Sequence, residues 1–211
     1  MAEEIDEGVV MRLVKGVLSH GVDGLGPMSS SKELADEYLR DSSYSSLENR
    51  VDAMIRWEAS KNFGTGFVTG MGGLITLPVS IPASMYANWF VQARLAGGVA
   101  SLFGYSTSEE RVRTFILLSL IGDAGREVVK NAGVQIGNKV GMKALGAIPG
   151  KVLIEINKKV GFRLITKAGE KGIINLTKAV PILGGMVGGT VDGLACAGVG
   201  KTAKGIFARE N

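Results

Sequence analysis

The sequence predicts an all-α protein, a compact helical bundle around a glycine- and proline-rich apolar helical hairpin. Three observations favour this fold class. Apolar residues recur at three- and four-residue spacing, no stretch shows sustained apolar–polar alternation, and glycine occupies every fourth position in two segments. The first two observations are typical of helices rather than strands. Glycine at every fourth position would let two helix backbones pack closely together.

The first three elements are predicted from apolar spacing and capping signals. An amphipathic helix is expected over residues 3–19, where apolar side chains recur at four-residue steps. After a glycine-rich linker, Ser30 and Glu33 fit a capping box that opens a short helix ending near Arg40. A polar break then precedes a third helix, which begins near Leu47 and leads into an uncharged segment.

That uncharged segment is the predicted hairpin, residues 62–104. Its first 32 residues, Asn62–Ala93, carry no charge, and Pro78 and Pro82 interrupt the middle. A run this apolar is expected either in a protein core or in a membrane. A helix ending before the prolines would be about 22 Å long, too short for a bilayer core of about 30 Å. The prolines favour a turn there, followed by a second helix from Ala83 to about Gly104.

The later elements are predicted to be helices that pack through glycine. Thr107 and Glu110 fit a second capping box ahead of an apolar helix, and Pro149 suits the first turn of another. A final segment opens at Pro181. Because a glycine within a helix costs about 1 kcal/mol relative to alanine, two stripes of them are expected only where another backbone packs close. The predicted packing glycines are Gly133, Gly137, Gly141, Gly185, Gly189 and Gly193.

Length and composition bound the organisation of the chain. Its 211 residues are predicted to form an N-terminal segment, 1–45, followed by a helical domain, 46–211. A single cysteine, Cys196, excludes internal disulfides and cysteine-built zinc sites. Cys196 is predicted to be a small core residue, and the only histidine, His20, a solvated surface residue. No catalytic residue, metal site or cofactor is predicted.

The charge distribution predicts an anionic partner. Residues 1–60 carry 12 acidic and 6 basic side chains, whereas residues 126–211 carry 14 basic and 5 acidic ones, a net charge of +9. The scarcity of aromatic residues in that basic third disfavours base stacking, so we expect an anionic membrane surface and no nucleic acid. The acidic N-terminus does not fit a signal peptide, so a cytoplasmic, membrane-associated protein is expected.

One motif could suggest nucleotide binding. The run ACAGVGKT, residues 195–202, resembles a phosphate-binding P-loop, which must follow a buried strand and open a helix. Here a glycine-spaced helix is predicted before it and only nine residues follow. We therefore interpret the match as a coincidence of small residues.

Several polar side chains interrupt or border the apolar runs. Buried charges must pair or hydrogen-bond, because an isolated buried charge is costly. We therefore predict that these residues form a polar cluster in which an arginine pairs with an aspartate; a cluster lining a functional cavity is the alternative. The cluster comprises Gln92, Arg94, Arg111, Arg113, Asp123 and Asp192.

Three blocks of sequence resemble the EcsC protein family. They are GTGFVTGMGGLITLPVSIPASMYANWFVQARLAGGVASLFGY (64–105), SEERVRTFILLSLIGDAG (108–125) and AVPILGGMVGGTVDGLACAGVGKTAKGIF (179–207). The family is named for a gene beside a bacterial transporter, so the resemblance implies membrane-related work and a membrane protein as a candidate partner. It implies no catalytic residue.

Three functions follow as hypotheses. The first is a non-enzymatic, membrane-associated helical protein whose hairpin lies in or enters a bilayer. The second is an enzyme that acts on a lipid-like or apolar substrate through the Arg/Asp cluster. The third is a soluble structural or protein-interaction module. An enzyme requires a concave site with convergent polar groups, which distinguishes the second hypothesis from the others.

Overall fold

The computed structural model of the protein describes residues 6–61, 81, 83–134, 146–177 and 184–208, without the side chains of 83–84, 167–177 and 184–191. Within these residues the fold is all-helical, as predicted, and contains no strand. The helices are α1 (Glu7–Val22), α2 (Ser31–Arg40), α3 (Leu47–Lys61), α4 (Ala83–Leu102), α5 (Glu110–Leu120), α6 (Ala124–Asn131), α7 (Gly150–Thr177) and α8 (Gly184–Phe207).

Helix α4 is the centre of the described bundle. It packs against α1, α2, α3, α5 and α8, and its side chains are buried on nearly every side. A helix that is apolar all round is stable only when neighbours cover all of it, which explains its central place. The second arm of the predicted hairpin is therefore confirmed as a helix. The first arm lies outside the described residues, so the hairpin itself stays a prediction.

The N-terminal segment belongs to the same core as the rest of the chain. Side chains of α1, including Val10 and Leu13, are buried together with residues of α4 and α7. The division predicted at residue 45 stays a prediction. Helix α1 ends at Val22 rather than at residue 19, and residues 1–5 lie outside the description.

Two of the three helix-start signals are confirmed. Ser30 and Glu33 form the predicted capping box of α2, and Pro149 directly precedes α7, where its carbonyl accepts bonds from the first turn. The capping box at Thr107 and Glu110 is wrong. A turn from Ser106 to Glu109 intervenes, so α5 begins at Glu110 and has no side-chain cap.

Close helix contacts occur at two glycines that were not predicted, Gly21 and Gly161, and are absent at Gly133, which was predicted. A Cβ atom on Gly21 would lie 2.5 Å from the Phe90 carbonyl oxygen, and one on Gly161 would lie 2.5 Å from Val10 Cγ1. Gly133 is corrected: it follows α6 with φ +76°, and a Cβ there would meet nothing within 4 Å. A glycine at position 133 suits a left-handed turn rather than close helix packing.

The structure describes the other five predicted packing glycines to different extents. Gly193 is buried within α8. Gly185 and Gly189 lie in the same helix, but their surroundings fall outside the description, and so do Gly137 and Gly141 altogether. The P-loop-like run 195–202 lies inside α8, where a continuous helix cannot form a phosphate-binding loop.

Candidate functional site

Arg94 makes the most deeply buried charge contact that the structure describes. Its Nη1 donates to Glu58 Oε2 at 2.9 Å, and its Nε and Nη2 donate to the Ser29 carbonyl and hydroxyl oxygens at 2.7 and 2.6 Å. The exposed fractions of the two charged side chains are 14% for Arg94 and 6% for Glu58. One guanidinium therefore joins α4 to α3 and to the loop between α1 and α2.

Glu58 is the central residue that sequence reasoning missed. Its carboxylate also accepts from Lys61 Nζ at 2.7 Å, so it is shared by one buried and one exposed cation. A signal was available, because Glu58 lies seven residues after Val51 and four after Met54, on the buried side of α3. An acid at an apolar position of a helical pattern indicates a buried partner.

The two arginines of α5 hold neighbouring segments. Arg113 pairs with Asp23 and donates from Nε to the Thr107 carbonyl at 2.8 Å. Arg111 Nε lies 3.4 Å from the Ile148 carbonyl oxygen, at the start of α7. These contacts tie α5 to the end of α1 and to the beginning of α7.

The two aspartates of the predicted cluster lie apart from these arginines. Asp123 is exposed immediately before α6. Asp192 of α8 accepts from Asn88 Nδ2 at 2.9 Å, and buried Gln92 donates to Asn88 Oδ1 at 3.0 Å. The predicted cluster is thus replaced by separate contacts, because side chains spread over α4, α5 and α8 reach the nearest partners on different neighbours.

His20 is not a solvated surface residue, which corrects the prediction. Its Nδ1 lies 2.9 Å from the Tyr86 hydroxyl, and its ring meets those of Tyr86 and Phe90 edge to face. Burial lowers the pKa of His20 below its usual value and raises the pKa of Tyr86 to about 12. The neutral form of His20 therefore connects the end of α1 to α4.

Acidification is expected to weaken this contact. The pKa of His20 is lower in the folded protein than in the unfolded chain. As the pH falls below about 6.5, the unfolded chain therefore binds a proton at His20 before the folded protein does. The stability that His20 contributes is complete above that pH and is lost as the pH falls through the folded pKa. NMR titration of this single histidine should give a pKa below 6.5, and His20→Asn should reduce the dependence of the unfolding free energy on pH. A titration at or above 6.5 would contradict this assignment.

Basic residues of the last third pair with acids within the protein. Lys158 Nζ lies 2.5 Å from a Glu7 oxygen and Lys204 Nζ lies 2.7 Å from an Asp52 oxygen, so the acidic and basic ends of the sequence meet. Lys159 and Arg163 form further ion pairs. Part of the +9 charge is therefore offset internally, and less of it faces a partner.

The first halves of α4 and α8 lie side by side and carry a single charge between them. The two helices run side by side in the same direction, since Asn88 bonds Asp192 and a Cβ on Gly200 would lie 3.2 Å from Leu95. Residues 83–93 of α4 carry no charge, and Asp192 is the only charge in residues 184–200 of α8. Leu194 is 68% exposed there. We call residues 83–93 and 184–200 the neutral pair of half-helices.

A shallow, open cleft is lined by residues 23–30 and Glu33, and its charged groups Asp23 and Glu33 already bond Arg113 and Ser30. It brings together no arginine–aspartate cluster of the predicted kind. Within the same described residues, no group of three or more His, Cys, Asp or Glu side chains could hold a metal ion. None of the described helices is both long and apolar enough to cross a membrane.

The match to known families is clear. The model of the EcsC protein family matches residues 22–209, most of the 211-residue chain, so the chain belongs to that family. The match begins at the last residue of α1 and includes every later helix. No curated protein and no solved structure matches the chain.

Proposed function

We propose that this member of the EcsC family is a non-enzymatic, membrane-associated protein that contacts the cytoplasmic face of a bilayer through the α8 side of its neutral pair of half-helices, at the exposed face around Leu194. The observation that carries the proposal is Leu194, a large apolar side chain that is 68% exposed on the neutral pair of half-helices. Leu194 is not isolated, because Ala197 and Gly198 lie three and four residues later on the same face of α8, half-buried and exposed respectively. A contiguous exposed apolar surface marks an interaction site.

The chemistry of this surface supports a lipid rather than an aqueous neighbour. The single acid, Asp192, is hydrogen-bonded to Asn88, whose amide is in turn bonded to Gln92. A carboxylate engaged in this way costs less to remove from water than a free one. The residues between Lys61 and Arg94 are also uncharged in the sequence.

The attraction between the protein and the bilayer is expected to be mainly apolar and only partly electrostatic. Ion pairs such as Lys204–Asp52 offset some of the basic charge, so screening by salt should weaken binding without abolishing it. Anionic lipid remains the preferred surface, since the chain as a whole carries a net charge of +4.

Vesicle binding tests the proposal. Sedimentation with phosphatidylcholine–phosphatidylglycerol vesicles should recover the protein at low salt and retain a fraction at physiological salt. Leu194→Asp should lower the affinity about tenfold or more, because it removes an apolar side chain and adds a charge at the contact surface.

Leu47→Asp is the matched control. Leu47 is also exposed, but it begins α3 beside the opposite end of α8, where Glu48 lies 4.0 Å from Lys204. The same chemical change there should leave vesicle binding unaltered. A wild-type protein that stays in the supernatant at low salt would favour a soluble interaction module, and equal losses for both variants would move the contact away from the half-helices.

A further inference from the structure

The last turns of α3 expose an unusual group of side chains. Trp57 is 60% exposed, and Arg56 and Lys61 beside it are exposed as well. The only acid in this stretch, Glu58, is buried and pairs with both Arg94 and Lys61. The exposed surface around Trp57 is consequently aromatic and positively charged. We call Arg56, Trp57 and Lys61 the α3 anchor.

The α3 anchor lies toward the same end of the α3–α8 pair as Leu194 of the neutral pair of half-helices. Helices α3 and α8 run in opposite directions, because Ile55 faces Gly200 and Asp52 pairs with Lys204. At about 1.5 Å per residue, Trp57 lies about 3 Å beyond the Ile55–Gly200 contact and Leu194 about 9 Å beyond it, in the same direction. Leu194 is therefore about 6 Å further along the helix pair than Trp57.

We propose that the α3 anchor binds the phospholipid headgroup layer and sets the depth at which the protein sits on the bilayer. This inference rests on the proposed function and names a second, distinct contact. Tryptophan favours the membrane interface because its ring is apolar while its N–H can bond polar groups. Arg56 supplies an exposed cation for lipid phosphates, and Lys61, whose ammonium group also pairs with Glu58, supplies a second. The burial of Glu58 removes the repulsion that an exposed acid would add.

Intrinsic fluorescence can isolate Trp57. The protein has two tryptophans, and the other one, Trp89, is buried. Trp57→Phe changes an exposed residue and leaves Trp89 in place, so the difference between wild-type and variant spectra reports Trp57 alone. The probe is a vesicle of phosphatidylcholine and phosphatidylglycerol, with bromine placed either near the headgroup or near the end of the acyl chain.

On binding, the Trp57 signal should move to shorter wavelength and be quenched more by bromine near the headgroup than by bromine near the chain end. The remaining Trp89 signal should change little. In addition, Trp57→Ala should weaken vesicle binding about tenfold, measured by sedimentation. Circular dichroism of the variants checks that the helices persist.

The outcomes separate this inference from the proposed function. Vesicle-bound protein with unchanged Trp57 emission would overturn the anchor while leaving membrane association intact, and would assign Trp57 to another surface. Stronger quenching from the chain end would also overturn it, since Trp57 would then lie in the hydrocarbon. Failure of the wild-type protein to bind vesicles would refute both proposals.

Discussion

Glu58→Ala is expected to lower the free energy of unfolding by about 3–5 kcal/mol, the usual cost of removing one partner of a buried ion pair. The reason is that Arg94 would stay largely buried with its charge uncompensated, keeping only its bonds to Ser29. Arg94→Ala should also destabilise the protein, because the buried carboxylate would keep only the exposed Lys61 as a charged partner. Denaturant unfolding at neutral pH measures both changes.

The exposed pair Arg163–Glu127 provides the control. Its N–O distance, 2.8 Å, is close to that of Arg94–Glu58, but both side chains face solvent. Glu127→Ala should therefore cost about 1 kcal/mol or less. A double-mutant cycle on Glu58 and Arg94 would isolate their coupling energy. Losses of equal size for Glu58→Ala and Glu127→Ala would show that the buried pair contributes no more than a surface one.

Two glycine-to-alanine substitutions are expected to change stability in opposite directions. At Gly21 the new methyl carbon would lie 2.5 Å from the backbone oxygen of Phe90 and 2.8 Å from Ala93 Cβ. Since α4 is packed on all sides, its backbone cannot easily move away. Gly21→Ala should thus destabilise the protein by about 1–3 kcal/mol, although alanine is the better helix former.

Gly198 of α8 is the matched position, because a Cβ there would meet nothing within 4 Å. Gly198→Ala should stabilise the protein by about 0.5–1 kcal/mol, the gain from restricting the unfolded chain and favouring the helix. Thermal or denaturant melting of the two variants checks both signs. A destabilising Gly198→Ala would mean that another surface covers this position in solution.

The local elements could be predicted because their signals lie within a few residues of one another. The capping box at Ser30 and Glu33, the break before Leu47, the start of α7 after Pro149 and the apolar second arm of the hairpin all depend on backbone bonds or side-chain spacing inside one element. The failure at Thr107 has a local cause too, since a tight turn competed with the cap. The family match rests on the same linear information.

Partners across the bundle could not be predicted in this way. The sequence indicated that Arg94 needs a partner, but the choice of Glu58 depends on how α3 crosses α4. Likewise, Tyr86 reaches His20 only because the end of α1 lies against α4. Each helix offers several polar side chains on one face, and relative rotation of two helices decides which of them meet.

The sequence alone therefore determined the all-helical class, the starts of α2, α3, α4 and α7 and the uncharged character of the central segment, because these follow from local propensity and spacing. Only the tertiary structure decided which glycines permit close contact, which charges are buried and which face the solvent. Those properties are set by the distance between backbones far apart in the chain: Gly21 and Gly198 look alike in the sequence, yet one meets the α4 backbone and the other meets open space.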